Sequence, residues 1–515
     1  MSFTWYCLGL LTTGSTVFLW HFSKRYCLSW LSWSGLTLGI VLILFSIAWS
    51  VGSVLEGVPR AASMGLLLFG LSGIVILTLA FRYTITKQPQ MLESAAEPDF
   101  SEAVATDLAP PKVKSPKTST LGQTVSVAIL YLAYILLIVA FVAGIASEGK
   151  NYENMVRSKF KDQQLTKVND DPVVFQLGDK GGGFGNYVFV QEGQGYGGPF
   201  VLGIRIMEDG KIHEIIPLDH KETPAFVKKI EDAKYRDQFV GKGVGDDFIV
   251  AMDIDAVSGA TITTMAATEA IRRGAHIAAV EKFKLPPTWK KVPWKFGLDE
   301  ILILAVFVLA FVPKIYKEKP WKYVYMAATI AIVGFYLNAA ISVGNIAGLA
   351  LGYIPGIEDH LIWWILVVGT VLGVVFLGQN VYCYRVCPFY GIEYLLQKIS
   401  GMKLNPSRAL LKRTRSISNF LLWFSLMVIF LSKHPALGSY EPFAMMFSLN
   451  GVGLQWFILP LALIGSFLMS AFWCRFFCPC GHALTKLKQM RKSILNLVQK
   501  QMRRTRTNGN QTEYN

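Results

Sequence analysis

Long apolar runs constrain this chain more than any other feature. A helix that crosses a bilayer needs about 20 mostly apolar residues, and about nine stretches approach that length: 4–22, 29–50, 62–82, 123–146, 297–316, 323–345, 361–381, 417–432 and 454–473. A hydrophobic share of 52% with only 17% charged residues exceeds what soluble globular proteins show. The first run has no basic region before it and no small-residue cleavage site after it, so it reads as a helix and not as a signal peptide. The formal net charge of +15 does not point to nucleic acid, because the basic residues cluster between apolar spans, as retention of Lys and Arg on the cytoplasmic side produces.

Those basic clusters orient the chain. Segment 383–416 carries Arg385, Lys398, Lys403, Arg408, Lys412, Arg413 and Arg415, and the tail beyond Cys480 carries Lys486, Lys488, Arg491 and Lys492 among others. Placing both inside puts 147–296 outside and the linker 83–122 inside. The expected organisation is an N-terminal three-helix membrane unit (1–82), a disordered cytoplasmic linker (83–122), a transmembrane anchor (123–146), an extramembrane domain (147–296), a five-helix membrane domain (297–482) and a basic tail (483–515). The linker is rich in Pro, Ser, Ala, Glu and Lys and poor in large apolar residues, which cannot build a core. Within 147–296, runs such as Tyr187-Val188-Phe189-Val190 and Phe200–Ile206 alternate with turn signals such as Glu208-Asp209-Gly210-Lys211, and a helical stretch from about Ile262 to Phe283 closes the segment. A small α+β domain is expected.

Its most informative stretch is Asp255-Ala256-Val257-Ser258-Gly259-Ala260-Thr261-Ile262-Thr263-Thr264. Two small residues precede a hydroxyl residue where a helix begins, and the unpaired amides and dipole of a helix start favour a phosphate. An ordinary serine cap followed by a Thr-rich first turn explains the same residues. Further motifs lie upstream: Gly195-Tyr196-Gly197-Gly198-Pro199-Phe200, Asp209-Gly210-Lys211-Ile212, His220-Lys221-Glu222-Thr223-Pro224 and Phe239-Val240-Gly241-Lys242. In this order and spacing the series, over about 175–282, closely resembles the FMN-binding domain shared by the C subunit of the sodium-pumping NADH:quinone oxidoreductase, the G subunit of the Rnf complex and the NosR/NirI proteins. That resemblance implies covalent FMN on Thr261 through a phosphoester installed by a periplasmic flavin transferase. It further implies cofactor-binding roles for Ser258, Gly259, Ala260, Asp255, Tyr196, Gly197, Glu222 and Thr223. One departure is Ala225, where the family usually has glycine after E-T-P. A tethered flavin suits an electron relay that must not lose its cofactor.

Five of the seven cysteines form two clusters beside apolar runs: Cys383-Tyr384-Arg385-Val386-Cys387-Pro388 and Cys474-Arg475-Phe476-Phe477-Cys478-Pro479-Cys480. An i, i+4 spacing sets two thiols on one helical face. The pairs Cys383/Cys387 and Cys474/Cys478 together supply the four soft ligands of an iron–sulfur centre, although another metal or a dithiol would use the same residues. Arg385 and Arg475 favour thiolates. Cys7 and Cys27 read as ordinary small apolar residues. Region 300–485, with Tyr440-Glu441-Pro442-Phe443, is similar to the membrane part of the NosR/NirI proteins and of NapH-type quinol-oxidising subunits, which carry paired C-x-x-x-C-P motifs. Full-length members continue into a ferredoxin domain, and this chain has no such cysteine run before Asn515. A separate ferredoxin-like subunit or membrane quinol is therefore expected to supply electrons.

The expected fold is an α-helical polytopic membrane protein of about nine spans with an inserted α+β periplasmic FMN-binding domain, in a bacterial inner membrane. The expected function is transmembrane electron transfer to or from a periplasmic redox protein, with a NosR/NirI-type regulator or sensor of respiratory genes as the alternative. His21, His220, His360, His434 and His482 do not form the mid-span pair that a membrane haem requires, and no acid lies mid-span to serve an ion pathway.

Overall fold

In a computed structural model of the chain, the structure describes residues 2–25, 29–86, 120–146, 152–161, 163–178, 184–290, 296–312, 318–358, 360–401, 407–451 and 455–512. The linker at 87–119 and Cys27 lie outside the described residues, as does the side chain of Cys7. The chain divides into two compact units, one of 1–114, 389–417 and 451–478, the other of 115–388, 418–450 and 479–515.

Among the described residues four helices are long and apolar enough to cross a membrane: Trp30–Leu55, Pro59–Thr84, Ala128–Ala146 and Ala409–Ser432. Each overlaps an expected span. The expected span 4–22 lies within one helix, Ser2–Arg25, but three further expected spans are not continuous helices, and this corrects the reading from apolar length. The run 323–345 is helical only to Tyr336, where a π-helical turn ends, and resumes as Val343–Ala350. The run 361–381 stops at Leu377 because Gly378 is left-handed (φ +70°), a conformation that ends a helix at little cost only in glycine. Gln455–Leu468 is 14 residues long, about 21 Å at 1.5 Å per residue. Hydropathy averaging sees each of these as one apolar stretch. The residues beyond the spans hold a further difference: the basic tail expected from 483 is part of one helix, Pro479–Thr512.

In the first unit, Trp30–Leu55 packs along Pro59–Gly65 and Ser72–Thr86. A Cβ on Gly39 would stand 2.9 Å from the Gly73 carbonyl oxygen, and one on Gly73 would stand 2.9 Å from that of Gly39, the close backbone approach that small residues permit between apolar helices.

The second unit contains the expected α+β domain. Five strands, β1 (Gln164–Asp170), β2 (Val173–Gly178), β3 (Phe184–Gln194), β4 (Pro199–Ile206) and β5 (Ile212–His220), form an antiparallel sheet in sequence order. Period-2 alternation gives the sheet two buried faces. Val188 and Val190 of β3 join Phe175, Leu177, Val201 and Val156 in one core cluster. On the other face, Gln191 and Ile204 meet the helix Thr261–Glu281, whose Ala266, Ala267, Ala270, Ala275, Ala278 and Ala279 are buried. That alanine-rich stripe lets the helix lie close. A Cβ at Gly193 in β3 would be 2.1 Å from the Ala266 carbonyl oxygen. Gly193→Ala is therefore expected to push the helix off the sheet and cost about 1–3 kcal/mol. Hydrogen exchange of the β3 and β4 amides in the solubilised chain would report it as faster exchange.

Candidate functional site

The S-G-A-T turn sits at the start of Thr261–Glu281, with Ala260 as the residue before the first turn and Gly259 left-handed at φ +70°. Thr261 is the first helical residue and is partly exposed. Beyond it, Thr263 and Thr264 are buried at 1% and 0% exposure, with Thr264 Oγ1 donating to the Thr261 carbonyl at 2.7 Å. Lys229, from the helix Pro224–Asp232, comes over the turn: its Nζ lies 2.6 Å from where a Cβ on Gly259 would be. Gly259 thus solves two problems, since it allows the backbone angle and leaves room for the ammonium. A cation over the turn that leads into the positive end of a helix, where Thr261 is the first residue, is a place for a phosphate. Burial lowers the pKa of Lys229.

The other predicted residues assemble around Glu222, which is fully buried. Its Oε1 accepts from the Gly197 and Thr223 amides, each at 2.7 Å, and its Oε2 accepts from Thr263 Oγ1 at 3.3 Å. A Cβ at Gly197 would lie 2.6 Å from both Glu222 Oε1 and Thr223 Oγ1, so only glycine lets the loop reach the carboxylate. Burial lifts Glu222 from 4.5 to about 7, against the opposing pull of its hydrogen bonds from Thr223, Gly197 and Thr263. One carboxylate thereby joins three motifs that lie far apart in sequence. Asp255 does not enter this cluster. Its side chain is exposed, and its backbone N–H and C=O are clipped by Gln238 at 2.9 and 3.2 Å. Ser258 is exposed as well. Ala225, in place of the family's glycine, is buried in the first turn of Pro224–Asp232, where no left-handed angle is needed.

Tyr196 is buried at 5% exposure by residues far along the chain. Its hydroxyl donates to the Ala339 carbonyl at 2.8 Å, and its own carbonyl accepts from Asn345 Nδ2 at 2.7 Å. Burial raises its pKa, followed by the charges of Cys480 and Glu222.

The cysteines fall in different units, Cys383, Cys387 and Cys480 in one and Cys474 and Cys478 in the other. Among the described residues no group of three or more His, Cys, Asp and Glu side chains converges as a metal site. Each unit instead shows a buried carboxylate that sequence reasoning did not assign. In the first, Glu393 accepts from the Trp473 amide at 2.7 Å, the Cys474 amide at 3.2 Å and Ser466 Oγ at 2.5 Å. In the second, Glu441 accepts from the Val343 amide at 2.8 Å, from Ser439 Oγ at 2.7 Å and from the Cys480 amide. The Y-E-P-F motif was the only signal for Glu441, and nothing local marks Glu393 or Lys229. His220 and His434 lie with ring centroids 6.1 Å apart.

Residues 195–276 match the family described as FMN-binding domain. The chain carries an FMN-binding domain. Residues 3–88 match a second family, described as chloroethene reductive dehalogenase membrane anchor protein, over the N-terminal unit for which the residues suggested no role. Protein NirI of Paracoccus denitrificans is 27% identical over 229 residues, 40% of this chain and 34% of that protein. The G component of the proton-translocating ferredoxin:NAD(+) oxidoreductase complex of Clostridium ljungdahlii is 34% identical over 92 residues, 17% of this chain and 49% of that component. The chain thus spans about a third and about a half of these relatives. These partial similarities fit a NosR/NirI-like flavoprotein.

Proposed function

We propose that this chain is a membrane-anchored electron relay that feeds a reductive dehalogenase held at the outer face of a bacterial inner membrane. The observation that carries this reading is the presence, in one chain, of a match to a dehalogenase membrane anchor at 3–88 and of an FMN-binding domain at 195–276. The positive-inside reading places 147–296 in the periplasm, where a flavin transferase would attach FMN to Thr261. When bound, FMN supplies a carrier for two electrons and two protons. Lys229 and the helix start would bind its phosphate, while Gly259 and Ala260 leave the phosphate's approach open. Glu222 would hold the Gly197 loop and the Thr263 turn in fixed relation around it.

The electron balance suits the proposed partner. Replacing chlorine by hydrogen (R–Cl + 2e⁻ + H⁺ → R–H + Cl⁻) takes the two electrons that one quinol releases on becoming quinone. Cys383 and Cys387 in one unit, and Cys474 and Cys478 in the other, are proposed as thiolate donors for redox metal chemistry on the strength of their soft-ligand character and paired spacing alone.

The test uses the full chain in membranes. Addition of a quinol is expected to bleach the flavin absorbance of the wild type, while Cys383→Ser and Cys474→Ser leave the flavin oxidised under quinol yet still reducible by dithionite. Equal bleaching by quinol in all three would sink the relay.

A further inference from the structure

In the break of the expected span 323–345 the amides of Leu337, Asn338 and Ala339 still bond back to Ile332, Gly334 and Val333, whereas those of Ile341 and Ser342 bond to side chains and not to a helical carbonyl. Non-helical backbone within an apolar segment persists only where protein groups satisfy it, and here those groups come from three distant segments. The FMN domain supplies Tyr196, whose hydroxyl donates to Ala339 O at 2.8 Å, and its carbonyl takes Asn345 Nδ2 at 2.7 Å. The residue beside Cys383 supplies Tyr382, whose hydroxyl accepts the Ile341 amide at 2.7 Å. The Y-E-P-F segment supplies Glu441, which accepts the Val343 amide at 2.8 Å and also the Cys480 amide. Asn345 completes the set by accepting the Ser342 amide at 2.8 Å.

Ala339 and Ile341 are two residues apart, and successive Cα atoms are 3.8 Å apart, so the points gripped by Tyr196 and Tyr382 are separated by no more than about 8 Å. Tyr196 adjoins Gly197, whose amide binds Glu222, and Glu222 in turn takes the Thr263 hydroxyl near the start of the flavin-bearing helix. The contacts around the loop agree with a held position: Lys221 Nζ donates to Tyr353 Oη at 2.8 Å, and the helix Pro224–Asp232 packs on Phe443–Ser448. Counting spans put the flavin and the cysteines on opposite faces of the bilayer. Within this unit the FMN domain and the Cys383 segment instead grip the same short stretch of chain.

We propose that Tyr196 is a positioning residue that docks the FMN domain, flavin end first, onto the 337–345 break, so that electrons reach the flavin from the Cys383 side within one unit and not across the membrane's thickness. This rests on the relay reading above for its electron source, but the dock itself does not.

The experiment compares wild type, Tyr196→Phe and Asn345→Ala as detergent-solubilised full chains. Hydrogen exchange reads the dock, and it is repeated in a Thr261→Val background that carries no attached flavin. Both variants are expected to speed exchange at least five-fold in 195–198 and in 339–345 together, although Tyr196 and Ala339 are 143 residues apart. In the flavin-loaded chain, Tyr196→Phe is expected to slow quinol-driven flavin reduction at least five-fold and leave reduction by dithionite unchanged. Faster exchange confined to the mutated segment would overturn the dock. Coupled exchange with unchanged quinol reduction would retain the dock and overturn its role in positioning the flavin. Coupled exchange with no quinol reduction even in wild type would uphold the dock and count against the relay instead.

Discussion

Thr261→Val is expected to remove all flavin that survives denaturation, while Ser258→Ala retains it. Four hydroxyl residues crowd this turn, and the structure separates them. Thr263 and Thr264 are buried and their hydroxyls are committed to Glu222 and to the Thr261 and Ala260 carbonyls. Ser258 is exposed but lies before the helix, behind the left-handed Gly259. Thr261 is partly exposed at the first helical position, with Lys229 Nζ over the adjoining turn. Valine keeps the shape of threonine and removes the only atom that can carry a phosphoester. The helix start should remain intact, since exposed N-terminal positions tolerate such changes within about 0.5 kcal/mol. Lys229→Ala should lower occupancy without abolishing it, because the helix amides and dipole persist. In-gel fluorescence of the denatured chain, co-produced with a flavin transferase, reads all three variants. A fluorescent band in Thr261→Val would refute attachment at this residue.

The second large effect concerns Glu222. Its pKa is raised from 4.5 to about 7 in the folded domain, so the folded state holds a proton that the unfolded chain has released. Stability is then fully present below pH 4.5 and falls as pH rises to 7 and beyond. The shift corresponds to about 3 kcal/mol at 1.36 kcal/mol per pH unit. Hydrogen exchange of the β3 and β4 amides, corrected for intrinsic pH dependence and measured in the Thr261→Val background, should show that loss. Glu222→Gln should flatten it, because the amide oxygen can still accept from Gly197 and Thr223 while the group no longer titrates. Glu222→Ala has a different cost: it strands the Gly197 and Thr223 amides and the Thr263 hydroxyl, at about 1–3 kcal/mol for each buried group left unpaired. An unchanged pH profile in Glu222→Gln would place the titrating group elsewhere.

The two predictions draw on different levels of legibility. The helix start at Thr261 was readable locally, because small residues and a hydroxyl precede a helical pattern that runs, in the structure, from Thr261 to Glu281. Strands β3 and β4 were readable from β-branched and aromatic runs bounded by turn residues, and the turn at Glu208–Lys211 lies between β4 and β5 as expected. Membrane character followed from apolar run length alone, a property of composition that packing does not alter. The departure at Ala225 required the fold to interpret, since only its helical position shows why alanine fits.

Tertiary structure decided what depends on partners remote in sequence. Hydropathy could not reveal that the 323–345 run breaks at 337–342, because the break is sustained by Tyr196, Tyr382 and Glu441 from outside the window. The carboxylate of Glu222 acquires its raised pKa only when the sheet, the Gly197 loop and the Thr263 turn exclude water around it. Glu393 belongs to the same class, a short helix residue whose three partners lie 73 to 81 positions away. Periodicity and local propensity report the burial and conformation of neighbouring residues. Hydrogen bonds that close over a hundred residues are chosen by the packed chain, and in this protein two of them connect Tyr196 to Ala339 and Asn345.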